Sequence, residues 1–209
     1  MIDPKAFFQM NYGLYLIGSK LEGKAAGCVV NTLAQVTAIP EKMVVAVHKD
    51  NFTTGIIQKS GLFTGVALAK EASMDLIRTF GFRTSADTDK FSGFVTKADS
   101  CGVPYIAEQI SARFSCKVTG QMDLGTHLLF LGEVYEAERF EAEPMTYSYY
   151  HRVIKGKAPK NAPTWQPEQK ASGGKWICGY VYEGETLPDD FKCPVCGRGP
   201  EVFRKDSAS

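Results

Sequence analysis

No run of 18 or more apolar residues occurs in the 209-residue chain, so no segment is long and apolar enough to predict a membrane-spanning helix. Charge of one sign is equally lacking. With 24 Lys and Arg against 23 Asp and Glu, the formal net charge is +1, and no net field draws in a phosphate backbone. These absences exclude a membrane and a nucleic acid as main partners. The opening Met1-Ile2-Asp3-Pro4-Lys5 has neither the basic stretch nor the apolar run of a secretory signal, which predicts a cytoplasmic protein. Internal repeats are absent as well.

What is present suits an ordinary globular protein: 44% hydrophobic and 22% charged residues, enough for a real core. At roughly 150 residues per domain the length allows one full domain and a small appendage. Three of the six cysteines, Cys178, Cys193 and Cys196, fall in the last part of the chain, apart from Cys28, Cys101 and Cys116. In a reducing compartment such clustering points to metal rather than to disulfides.

Short apolar runs separated by turn residues fill the first part. Residues 13–18 read as a strand, Leu21-Glu22-Gly23-Lys24 as a hairpin turn and Cys28-Val29-Val30 as the partner strand. Thr32 to Thr37 continues extended. Met43 to Val47 is continuously apolar, as in a strand covered on both faces. A short helix follows, capped by Asn51 or Thr53 and ended by Gly61, and Ser73 caps a second running to about Phe80. Residues 81–103 read as a long loop. Two long strands, Ile110 to Gly120 and Thr126 to Glu138, close the domain. The pattern predicts a mainly β fold with short helices, an antiparallel barrel in residues 1–157. Pro, Lys and Gly then dominate residues 158–174, a linker before a small unit at 175–209.

Two groups of residues carry chemistry. Asn31 and Thr32 end a strand and offer amide and hydroxyl groups to the polar edge of a planar ring. Lys49, Asn51 and Thr53 at a helix start offer a cation, side-chain donors and backbone N–H groups to a phosphate. Together they suit a flat, phosphorylated cofactor. Each also has a plainer role: Asn51 and Thr53 as caps, Lys49 as a solvated strand end. In the tail, Cys193-Pro194-Val195-Cys196-Gly197 is a metal knuckle that aims two thiolates inward, with Cys178-Gly179-Tyr180 ahead of it.

The tail resembles the rubredoxin domain, in the short-loop form found at the end of rubrerythrins, from Tyr180 through Glu183-Gly184-Glu185 to Gly197. It departs from that pattern at the first knuckle, where Lys175-Trp176-Ile177-Cys178-Gly179-Tyr180 lacks three residues including one thiol. Three readings stay open: the gap belongs to this sequence rather than to the protein, a non-Cys ligand or water completes an iron or zinc site, or no metal binds. The larger part resembles the flavin reductase family through Asn31-Thr32 to Gln35-Val36-Thr37, Lys49 to Thr53, Phe80-Gly81 to Asp89-Lys90-Phe91, Gly125-Thr126-His127 and the closing segment Glu143 to His151.

The two-part order resembles the high-molecular-weight rubredoxins of anaerobes. That resemblance implies an FMN-binding split barrel and a rubredoxin-type iron centre, with NAD(P)H as hydride donor and a flavodiiron-type oxygen or nitric oxide reductase as electron acceptor. It implies that Asn31, Thr32, Lys49, Asn51, Thr53 and Lys90 contact FMN and that His127 lies by the flavin ring or the nicotinamide. It further implies that Tyr149 or Tyr150 stacks on the flavin of a neighbouring subunit, that Cys178, Cys193 and Cys196 bind the metal, and that the protein is a homodimer. His127 also reads as a surface strand histidine and Tyr150 as core. Two other functions fit the residues: a diffusible NAD(P)H:flavin reductase with a structural zinc or vestigial tail, and a non-enzymatic zinc-ribbon binding module.

Overall fold

The computed structural model describes residues 2–154, 156, 191, 192 and 199. The chain divides into two compact units, Met1–Trp165 and Gln166–Ser209, a division that falls within the stretch read as a linker. The described elements belong to the first unit. Cys178, Cys193, Cys196 and the tail's expected boundaries lie outside the described residues.

Strands β1 (Tyr15–Leu21) and β2 (Lys24–Val30) form the expected hairpin. Its turn residues Glu22 and Gly23 have φ of 49° and 84°, the left-handed pair whose twist matches that of the flanking strands. Next come β3 (Ala34–Ala38), β4 (Glu41–His48), helix α1 (Phe52–Ser60), β5 (Leu62–Leu68) and helix α2 (Met74–Phe82). The two long strands are β8 (Ile110–Asp123) and β9 (His127–Arg139), and helix α3 (Tyr147–Arg152) closes the unit. A 3-10 turn at Pro4–Gln9 was not signalled by the sequence pattern.

All pairings in the seven-stranded sheet are antiparallel, in the order β2-β1-β5-β8-β9-β4-β3. A flat sheet would separate its two edge strands by about 29 Å, at ~4.8 Å per pairing. Yet β2 and β3 are joined through residues 31–33 alone, a step that reaches at most about 14 Å. The sheet must therefore curl until its edges meet, which brings the end of β2 close to β4.

The curled sheet has two cores. Ile17, Cys28, Leu33, Val45, Phe63 and Phe130 pack on one side with Ile57 of α1. Leu16, Val66 and Leu68 pack on the other against Leu76, Ile77 and Phe80 of α2. Gly132 of β9 sits so near Phe63 that an added Cβ would lie 2.7 Å from the ring, so no side chain fits there.

Two expectations are corrected. Strand β4 is not covered equally on both faces: Met43, Val45 and Val47 are buried, whereas Val44 and Ala46 are only half-buried. Residues 81–103 are not one loop, because α2 runs on to Phe82 and β6 (Thr96–Ala98) pairs with β7 (Pro104–Ile106). The order comes from contacts distant in sequence. Asp99 accepts hydrogen bonds from Cys101 and Val103 N–H and from the Tyr135 hydroxyl (2.6 Å), and Glu136 accepts one from Ser100 N–H (3.0 Å). Strands of three residues carry no readable alternation, so this docking to β9, with the burial of β7 against the core and the Thr64 hydroxyl donating to the Pro104 carbonyl (2.9 Å), specifies them.

Candidate cofactor site

The end of β4 and the start of β9 lie side by side, His48 opposite His127, and Lys49 N–H continues the pairing to the Thr126 carbonyl (3.0 Å). The chain then turns into α1. Asn51 is its N-cap: its Oδ1 accepts from Thr53 N–H at 3.0 Å, one of the helix-start donors that lacks an intrahelical partner. Thr54 donates its hydroxyl to the His48 carbonyl (2.7 Å). The Thr53 hydroxyl is different. It is fully buried, and the group beside it is the weakly accepting Cys28 thiol of β2. A thiol is a weak hydrogen-bond partner for a hydroxyl, and this hydroxyl sits where the helix dipole favours an anion.

Asn31 and Thr32, in the link from β2 to β3, complete one side. Asn31 is buried. Thr32 donates its hydroxyl to the Ala46 carbonyl of β4 (2.6 Å), which fixes the curled edge and leaves its oxygen an acceptor.

Lys49 does not stand free: its ammonium lies 2.6 Å from Asp123 at the end of β8. Asp123 is held below the usual carboxylate range by that lysine first and by Gly125 N–H second. Lys90 is buried, 2% exposed, and donates to the Gly27 (2.9 Å) and Phe80 (3.2 Å) carbonyls. Burial lowers its pKa, while its charge is still felt at Cys28. Thus Cys28, Asn51, Thr53 and Lys90 converge around β2 and the head of α1, but Lys90 is spent on backbone carbonyls.

The loop after α2 closes over the same region. Ser85 Oγ accepts from Gly27 N–H (3.1 Å), and Lys24 donates to the Ala86 carbonyl while lying 4.7 Å above the Phe52 ring. Lys24, Ser85, Asp87 and Asp89 are among the residues lining a cleft of about 320 Å³ here.

His127 is half-buried; Thr126 Oγ1 lies 2.9 Å from its Nδ1, and its ring meets the His48 ring edge to face at 4.9 Å. Tyr150 is not presented to a ligand in this chain. It is 3% exposed and packs in the core formed with Leu68, Leu76 and Phe80, which makes the plainer reading the physical one. Cys28 and Cys116 are buried thiols whose pKa burial pushes up to about 11 and about 12. Among the described residues no three His, Cys, Asp or Glu side chains converge as metal ligands.

Sequence reasoning missed Asp123, the partner of Lys49, and His48, the partner of His127. Only the strand register of β4, β8 and β9 could have found them, because neither lies in a local motif with its partner.

Fold and site together define a flavin-binding split barrel of the oxidoreductase type. Residues 7–157 match the family model described as "Flavin reductase like domain", and residues 176–204 match "Rubrerythrin, rubredoxin-like domain". The chain belongs to the flavin reductase-like family, joined to a rubredoxin-like segment. It is 35% identical to the high molecular weight rubredoxin of Moorella thermoacetica over 98% of this chain and 100% of that one. It is 38% identical to the ferric-chelate reductase (NAD(P)H) of Archaeoglobus fulgidus over 78% of this chain and 98% of that one. Among solved structures, the NADH:FAD oxidoreductase of Streptomyces globisporus shares the fold with a TM-score of 0.63 at 22% identity, covering 70% of this chain and 91% of that one.

The barrel's residues fit a flavin nucleotide, since the Thr53 hydroxyl, beside only the weak Cys28 thiol, supplies a buried donor at a helix start. The tail's donor set of three thiolates fits an iron or zinc ion but falls one short of a closed four-thiolate centre.

Proposed function

We propose that this protein is an FMN-dependent oxidoreductase that draws electrons from NAD(P)H and delivers them to a flavodiiron-type oxygen or nitric oxide reductase, as a cytoplasmic homodimer. The observation that carries the reading is the buried Thr53 hydroxyl at the head of α1, with only the weak Cys28 thiol beside it, in a chain that matches both a flavin reductase-like and a rubredoxin-like segment. FMN, when bound, supplies hydride acceptance from nicotinamide and release of electrons one at a time. Iron held by Cys178, Cys193 and Cys196 would supply a one-electron site.

The chain's part is to hold and orient. Thr53, enclosed in this chain, would donate its hydroxyl to a phosphate oxygen at the positive end of α1 once binding opens that helix start, Asn51 keeps the start in shape, and Lys49 would neutralise charge once released from Asp123. Lys90 adds a buried positive field behind Cys28 without contact. Asn31 and Thr32 would hold the polar edge of the ring, and His127, fixed by Thr126 and the His48 ring, would meet the nicotinamide.

The test is FMN affinity of the full chain by equilibrium dialysis. Thr53→Val, which keeps shape and removes the hydroxyl, should weaken FMN about 10- to 100-fold, the range for a hydrogen bond to a charged group. Unchanged affinity would remove Thr53 from the phosphate site.

A second reading, a reductase serving a diffusible flavin or ferric chelate with a structural tail, is favoured by one observation. The Archaeoglobus relative aligns over 98% of its own length to 78% of this chain. Under that reading FMN leaves on gel filtration and the tail holds zinc.

A further inference from the structure

Thr53 is 0% exposed and Cys28 beside it 2%, so part of the chain covers the head of α1. The residues that precede these two show which part. Gly27, ahead of Cys28, belongs to β2, an edge strand of the sheet. In place of a further strand, its N–H donates to Ser85 Oγ (3.1 Å) and its carbonyl accepts from the Ser85 hydroxyl (3.3 Å). Phe52, ahead of Thr53, has the Lys24 ammonium 4.7 Å from its ring, and that ammonium donates to the Ala86 carbonyl (2.6 Å).

Both contacts run to residues 83–89, which lie between the end of α2 and the buried side chains of Lys90 and Phe91. Ser85 is buried there, whereas Arg83, Thr84, Ala86, Asp87 and Asp89 are exposed. The bonds from Ala86 N–H to Thr84 Oγ1 and from Thr88 to Asp87 stay inside the segment and travel with it. A stretch without an apolar anchor, held by a few external bonds, opens more readily than the core around it. The cleft of about 320 Å³ between this segment and the β1–β2 turn leaves it room to move.

We propose that residues 83–89 are a lid over the head of α1, latched by Ser85 and Lys24, which opens to admit the cofactor phosphate to Thr53. This rests on the reading of Thr53 as the phosphate contact. Lys90 and Phe91 anchor one end of the lid and α2 the other.

The experiment follows two rates in the full chain: modification of Cys28 by a thiol reagent without cofactor, read by peptide mapping, and association of FMN, read by stopped-flow fluorescence. Ser85→Ala removes one latch and Lys24→Met the other. In the double variant the open fraction should rise about 10-fold or more, the factor for losing two or three ordinary hydrogen bonds. Cys28 modification and FMN association should both speed up accordingly, with Cys116 as slow as in wild type. Lys24→Met alone, a change at an exposed side chain, should give a several-fold rise in both rates and decides the matter if the double variant does not fold.

Unchanged Cys28 modification would overturn the proposal, because another part of the chain would then be the cover. Equal acceleration at Cys28 and Cys116 would overturn it in favour of a loosened barrel. Faster Cys28 modification with unchanged FMN association would show a lid that admits no phosphate, and would overturn both its proposed role and the reading of Thr53.

Discussion

Lys90 shows how a charge can be placed by packing rather than by a ligand. Its ammonium ties the Gly27 carbonyl of β2 to the Phe80 carbonyl of α2, and Lys90→Met, which keeps the stem and removes both bonds while Ser85 Oγ still donates to the Gly27 carbonyl (3.3 Å), should cost about 2 kcal/mol in urea unfolding. An unchanged midpoint would show that water replaces the ammonium. Lys49 has the opposite character, an exposed pair with Asp123. Asp123→Asn should tighten FMN a few-fold at low salt and Lys49→Ala weaken it, since an exposed pair contributes little and is screened. Identical affinities in both variants would take Lys49 away from the phosphate. Burial dominates at the thiols: native iodoacetamide labelling with peptide mapping should modify Cys101 and spare Cys28 and Cys116, whose reactive thiolate is suppressed. At this scale the residue types of the site were legible, because Asn51, Thr53 and Lys49 form a local motif. Their partners were not, because Asp123 and His48 reach them only through strand register.

The elements divide in the same way. The β1–β2 hairpin and the caps at Asn51, Gly61 and Ser73 were readable, since each rests on local turn or cap chemistry. The β6–β7 hairpin was not, because contacts distant in sequence, to β9 and to the core beside β5, specify it. That docking predicts a pH dependence. Ser100 first, then Arg113, hold the Glu136 carboxyl down to about 2 from its ordinary 4.5. A carboxylate with a lowered folded pKa adds stability that is complete above its ordinary value and fades as pH falls from there through the folded value. Glu136→Gln should therefore have a lower urea midpoint than wild type at pH 7, with the gap narrowing between pH of about 4.5 and about 2. A gap constant across that window would mean that Glu136 acts through shape and not through charge.

For the whole molecule, the curl of the sheet is what creates the site. The short step from β2 to β3 draws Asn31 and Thr32 against β4, while the β4–β9 pairing sets His48 and His127 beside the head of α1. The sequence pattern announced a barrel of antiparallel strands but not which ends would meet, because strand order depends on pairings far apart in the chain. The central claim is that this meeting place holds a reducible flavin. Its most direct measurement is an anaerobic titration of the full-length protein, loaded with FMN and freed of excess, against NADH and NADPH with visible absorption. The flavin band should survive gel filtration and bleach with about one equivalent of reduced nicotinamide per flavin. A protein that emerges colourless after incubation with excess FMN, or whose bound flavin neither coenzyme reduces, would contradict it.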